Sequence, residues 1–119
     1  MFGLTSALSF YLYNSPTDMR KGFDGLSELI QGRMMRNPVS GEVFIFINKR
    51  RDRMKLLQWQ YGGFVLYYKR LEKGTFELPV HRSTDISTAV YWPQLMMMVE
   101  GISLLHVKTR KRYLLTGSG

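Results

Sequence analysis

Between Val43 and Leu78 four β-favouring segments follow one another, each closed by turn residues, and few folds accommodate such a succession. Val43–Ile47 is apolar at every position, which suits a strand covered on both faces. Asn48–Asp52 is a polar turn, Met54–Tyr61 a second strand and Gly62-Gly63 a hairpin turn. Phe64–Arg70 is a third strand, Leu71–Gly74 turns the chain again, and Thr75–Leu78 is a short fourth strand ahead of Pro79. Short connections join antiparallel neighbours, so these segments are expected to form an antiparallel β-meander.

The sheet needs a cover, and the preceding segment offers one. Met19, Phe23, Leu26, Ile30 and Met34 recur at alternating spacings of four and three, which places them on one stripe of a long amphipathic helix. Ser15 as cap, Pro16 at the first helical position and Asp18 as a capping-box acid set its expected start. Asn37 and Pro38 set its end. Gly22 and Gly25 each cost such a helix about 1 kcal/mol against alanine, and close approach of another backbone is the expected reason. Leu8–Tyr13 reads as a strand before the helix and Ile86–Tyr91 as one late in the chain. Pro93–Glu100, with Gly101 just beyond, reads as a short late helix. The expected fold class is therefore α+β: an antiparallel β-meander sheet packed against one long amphipathic helix, with a short late helix. Residues 1–104 are expected as one domain and 105–119 as a basic tail containing Lys108, Arg110, Lys111 and Arg112.

Composition enters through charge. Among 119 residues, 17 are Lys or Arg and 9 are Asp or Glu, a formal charge of +8 that attracts polyanions, nucleic acid first among them. There is no cysteine, which rules out disulfides, thiolate zinc sites and thiol nucleophiles together. The N-terminus lacks a charged stretch followed by an apolar one, so no signal peptide is expected. The apolar run Leu95–Val99 is too short to span a bilayer, and a cytoplasmic protein without membrane contact is expected.

The basic residues are clustered. Lys49, Arg50, Arg51, Arg53, Lys55, Lys69, Arg70 and Lys73 lie between Asn48 and Gly74, opposed only by Asp52 and Glu72. In a meander the Lys49–Arg53 turn and the Arg70–Lys73 turn fall at one end of the sheet, where their charges would act as one phosphate-binding patch. The plainer reading is a pair of solvated turns. Trp59, Tyr61, Phe64, Tyr67 and Tyr68 interleave with these charges. They suit either core packing in strands or stacking on single-stranded bases, and alternation favours the core for most of them.

Other constellations are weaker. Asp24 and Glu28 stand four apart, with Arg20 four before Asp24, a spacing that suits an ion-pair ladder on a wet helix face better than a metal or acid–base pair. A nuclease-type acid triad does not assemble from so few acids. His81 and His106 lack a partner at metal-ligand spacing. No nucleophile elbow or phosphate-cradling glycine loop is present. Met96, Met97 and Met98 fit a core helix, or an adaptable docking face. No catalytic residue, metal or cofactor is expected.

The run Thr17-Asp18-Met19-Arg20-Lys21-Gly22-Phe23-Asp24-Gly25-Leu26 resembles the signature of the TnpB-type, or Orf2-like, accessory proteins of insertion sequence family sixty-six. The resemblance continues through Ser40-Gly41, Val43–Ile47, the Lys49–Lys55 turn, Trp59, Tyr68-Lys69-Arg70-Leu71-Glu72-Lys73-Gly74, Phe76, Pro79, Gln94-Leu95 and Glu100-Gly101-Ile102. It implies a bacterial mobile-element protein encoded beside a larger transposase that performs the strand-transfer chemistry. Such a protein is an accessory factor without catalytic residues of its own, and DNA and the transposase are its implied partners. Arg20 and Lys21 are not needed by helix packing, so they join the basic turns as expected contacts with DNA or the transposase. An adaptor that binds the transposase without touching DNA is the alternative.

Overall fold

The computed structural model describes residues 4–100. The expected tail 105–119, together with Gly101, Ile102 and His106, lies outside the described residues.

Five strands and two short helices follow in the order β1 (Phe10–Tyr13), α1 (Phe23–Gly32), β2 (Val43–Ile47), β3 (Arg53–Gln60), β4 (Gly63–Arg70), β5 (Ser87–Val90) and α2 (Trp92–Glu100). The strands form one sheet in the order β4-β3-β2-β1-β5. β2 is its central strand and is buried at every residue, as an uninterrupted apolar run requires.

The expected pure meander with a long helix is incorrect in three respects. First, β1 pairs parallel with β2, Phe10 against Val43 and Leu12 against Ile45. The sheet is therefore mixed, because α1 carries the chain from the end of β1 back to the start of β2 and a crossover of that kind permits parallel pairing. Second, Thr75–Leu78 is not a strand. Phe76 instead sinks its ring into the core, 1% exposed, while its N–H donates to the Arg51 carbonyl at 2.7 Å. The outer place beside β1 is taken by β5, antiparallel to it.

Third, the helix is short. α1 has ten residues and begins only after Gly22. The backbone groups that would have extended it backwards are bonded elsewhere. The Thr17 N–H donates to the Ile47 carbonyl at 2.9 Å. The Asp18 carboxylate accepts the Arg20 N–H at 2.9 Å, a local turn that competes with helix. The carbonyls of Met19 and Lys21 each accept a hydrogen bond from Lys55 Nζ at 2.7 Å. At the other end α1 stops at Gly32, and Met35, whose φ of 56° is left-handed, bars its continuation well before Pro38. Of the expected stripe, Leu26, Ile30 and Met34 are buried, while Phe23 is 48% exposed. Gly22 has open space around it, and a side chain at Gly25 would press on Lys21 Cβ at 3.1 Å, so the close neighbour is a side chain and not another backbone.

Alternation along the strands divides the core in two. Phe10, Leu12, Val43, Ile45, Met54 and Leu56 meet Leu95 and Met98 of α2 on one face, with Phe76 among them. Tyr13, Phe44, Phe46 and Leu57 meet Leu26 and Ile30 of α1 on the other. The helices thus cover opposite faces of the sheet. Two of the late residues offered as a docking face, Met96 and Met98, belong to this packing.

Candidate nucleic-acid interface

The β1–β2 parallel pairing has a consequence for the charges. It brings the loop after β1 to the same end of the sheet as the turn after β2. The β3–β4 pairing adds the segment after β4, because Arg53 lies directly opposite Arg70. The Leu71 N–H donates to the Asp52 carbonyl at 2.8 Å and ties that segment to the β2–β3 turn. Three chain segments carrying Arg20, Lys49–Arg51 with Arg53, and Arg70–Lys73 therefore converge on one rim.

The β2–β3 turn is held by one asparagine. Asn48 Oδ1 accepts the N–H groups of Asp52 and Arg53, both at 3.0 Å, and Asn48 Nδ2 donates to the Asp52 carboxylate at 2.7 Å. That amide, helped by the nearby positive charges of Arg50 and Arg53, holds the Asp52 carboxyl below the usual carboxylate range. Arg51 occupies the tight corner with φ at 60°, a left-handed conformation that costs a residue with a side chain about 1–2 kcal/mol.

A groove of about 540 Å³ opens on the α1 side of this rim, between Pro16–Arg20 and Asn48–Arg53, with Tyr68 in its wall. Its acids are already engaged. Asp18 pairs with Arg20 at 2.6 Å, and this hydrogen-bonded guanidinium, with the Arg20 backbone N–H, lowers the Asp18 carboxyl from 3.8 to about 2. Thr17, also lining the groove, holds a buried hydroxyl without a hydrogen-bond partner.

The ten expected contact residues thus separate by surroundings. Lys49, Arg50 and Arg53 line the groove. Arg51 faces a smaller recess on the same rim, beside Tyr13, Asn14 and Leu78. Arg20 lines the groove with its side chain 91% exposed. Lys73 and Lys21 are exposed. Arg70 is exposed and paired with Glu72 at 2.8 Å. The remaining two serve the interior. Lys55 is 6% exposed and its ammonium clamps the Met19 and Lys21 carbonyls. Lys69 faces the α2 side, opposite Met54, and donates to the Val99 carbonyl. The alternation that sets Lys55 on one strand face with Leu57 was the available signal for the first; the second depends on where α2 ends.

The aromatics also divide. Tyr67 packs against the α2-side core. Trp59 and Phe64 meet edge to face with centroids 5.0 Å apart. Tyr61 is fully exposed at the opposite end of the sheet, in a two-residue turn between the paired Gln60 and Gly63. Among the described residues only Tyr68 of the aromatics lines the basic groove. The supposed ladder of Arg20, Asp24 and Glu28 does not form, since Arg20 pairs with Asp18, and neither Asp24 nor Glu28 takes part in an ion pair among the described residues. Among the described residues no three His, Cys, Asp or Glu side chains are grouped to hold a metal, and no helix is long and apolar enough to cross a membrane.

Comparison with known proteins gives a family match over most of the chain. The model described as "IS66 Orf2 like protein" matches residues 8–109. Two curated relatives come from Sinorhizobium fredii (strain NBRC 101917 / NGR234). Uncharacterized protein y4jC is 28% identical over 110 residues, 92% of either chain. Uncharacterized protein y4hO is 34% identical over 91 residues, 76% of either chain. No solved structure matches.

Proposed function

The chain belongs to the IS66 Orf2-like family and is an insertion-sequence-associated protein, and from that premise we propose that it is a non-catalytic accessory factor of transposition that binds DNA through the basic rim. The observation that carries this reading is Arg53 set directly opposite Arg70. Like charges in that position destabilise a sheet, and among the described residues only Arg70 of the two has a carboxylate partner. The neighbouring Arg51 sits in a left-handed corner that glycine would occupy without strain. Local stability favours neither arrangement, whereas a row of phosphates neutralises the facing charges and draws on the Arg51 side chain.

Phosphate contact alone positions DNA without reading its sequence. The test is affinity for a duplex as a function of salt, followed by fluorescence anisotropy. With three to five phosphates engaged, log K falls against log salt with a slope of about −3 to −4.5. The variant R50A/R51A/R53A is expected to bind more weakly and to flatten the slope by about 2–3. Alanine at 51 carries the same left-handed penalty as arginine, so the corner itself is not a confounding change. A flat slope for the unaltered protein would refute the reading.

A second reading, an adaptor for the transposase of the same element, is favoured by the β4 edge. Among the described residues β4 pairs only with β3, and an open strand edge can accept a strand from another chain. Recovery of the transposase on this protein with R50A/R51A/R53A in place, and no DNA affinity in the unaltered protein, would favour the adaptor.

A further inference from the structure

We infer that the groove beside the basic rim receives an unpaired nucleotide of a DNA strand, with the Tyr68 ring as the platform on which its base stacks. This rests on the DNA-binding reading and specifies which form of DNA the site prefers.

Tyr68 is held from two sides. β4 is an edge strand, and Tyr68 points to the α1 side opposite Lys55. Two residues earlier, Leu66 reaches the cluster under α1; Tyr68 lies beyond it and is 48% exposed. Yet the ring is not loose. Lys55 Nζ stands over it at 4.7 Å from the centroid, and that ammonium is itself fixed by the Met19 and Lys21 carbonyls. The phenol oxygen accepts a hydrogen bond from Arg53 Nη1 at 3.3 Å. A cation over the ring and a guanidinium at its hydroxyl fix the side chain where it lines the groove. A platform already held in place loses little freedom on binding.

The surroundings match a nucleotide in size and charge. The groove's 540 Å³ lies in the range of small-molecule clefts, about 300–1,000 Å³. Arg53 and Arg50 stand on one side and Arg20 on the other, within reach of the phosphates flanking a base. A base inside a duplex has both faces covered by its neighbours, whereas an unpaired one can present a face to Tyr68. Stacking of this kind tolerates any base, so the site needs no base-edge reader. Tyr61, fully exposed, stands at the far end of the sheet from the charges and has no such role.

The experiment compares a single-stranded oligonucleotide with a duplex of the same sequence, both at one salt concentration, for the unaltered protein, Tyr68→Leu and Tyr68→Phe. A 2-aminopurine in the single strand reports stacking through quenching of its fluorescence. Tyr68→Leu is expected to weaken single-strand binding about five- to 150-fold, to abolish the quenching, and to leave duplex affinity and both salt slopes unchanged. Tyr68→Phe keeps the ring and is expected to keep the quenching. Equal weakening on both DNAs, or quenching that survives in Tyr68→Leu, overturns the inference while leaving phosphate contact standing. Absence of salt-dependent binding to either DNA by the unaltered protein overturns the underlying reading instead. Thermal melting of each variant verifies that it is folded, and an unfolded Tyr68→Leu is replaced by Tyr68→Ile or Tyr68→Met in the same comparison.

Discussion

Replacing Lys55 with methionine separates two roles that a basic residue in this region can have. As an internal clamp, the ammonium makes two hydrogen bonds at 2.7 Å to Met19 and Lys21 and lies over the Tyr68 ring. Bonds from a charged donor contribute about 1.5–3 kcal/mol each, and the ring about 0.5–1 kcal/mol, a gross contribution of about 3.5–7 kcal/mol. Against this stands the cost of burying the ammonium, several kcal/mol, which methionine removes along with the charge. The freed carbonyls lie in a loop whose neighbours are exposed, so water can partly replace the lost donor. The expected net loss is about 2 kcal/mol, read from urea unfolding. For a domain of this length that corresponds to about 8 °C in melting temperature. Because the Lys55 ammonium is engaged by the two carbonyls, the salt slope of DNA binding stays unchanged, while quenching of 2-aminopurine falls as Tyr68 loses its backing. Unaltered stability together with a slope flattened by nearly one would show that Lys55 neutralises a phosphate, and the clamp would be refuted.

Three further outcomes follow from the same geometry. Thr17→Val replaces a buried hydroxyl that lacks a partner with an apolar group of the same shape, so unfolding free energy is expected to rise by about 1 kcal/mol; a loss of that size in urea melts would mean the hydroxyl is bonded. Tyr61→Asn places a residue tolerant of φ > 0 before Gly62, where both central φ angles are positive. Hairpin turns of this type prefer that pair, and stability is expected to increase by about 0.5–1 kcal/mol in the same assay. Asp18 is expected to titrate at about 2 in a carboxyl NMR experiment, and Arg20→Ala to return it toward the ordinary value. The sign follows from a folded value below the unfolded one: the contribution is full above about 4 and is lost as pH falls through about 2. A midpoint in the ordinary range in the unaltered protein would dissolve the Asp18–Arg20 pair.

How much of this was legible beforehand depends on the range of the interaction involved. The two basic turns were placed at one end of the sheet by strand succession alone, and Arg53 against Arg70 bears that out. The apolar stripe correctly marked Leu26 and Ile30 as buried. It overstated the helix because periodicity records which residues meet the core, and a loop pinned by distant donors can also bring Met19 to the core. The capping residues misled for a related reason: Asp18, read as a capping acid, folds back on Arg20 instead.

What the sequence determined by itself is local and periodic: the fully buried strand Val43–Ile47, the hairpin that follows it, the late helix, and a concentration of like charge in the turns. Those outcomes depend on neighbours within a few residues, whose spacing alone says which side is apolar and where the chain must turn. Tertiary structure decided the parallel seating of β1 beside β2, the removal of Lys55 and Lys69 from the solvated charge, and the choice of Tyr68 as the aromatic in the groove. The strand seating and the two lysines depend on partners about 30 residues or more apart in the chain, such as the carbonyls of Met19 and Val99, and the groove wall facing Tyr68 comes from the distant segment Pro16–Arg20. A lysine has the same chemistry in a turn or under a loop; only the placing of those carbonyls decides whether its charge reaches a phosphate.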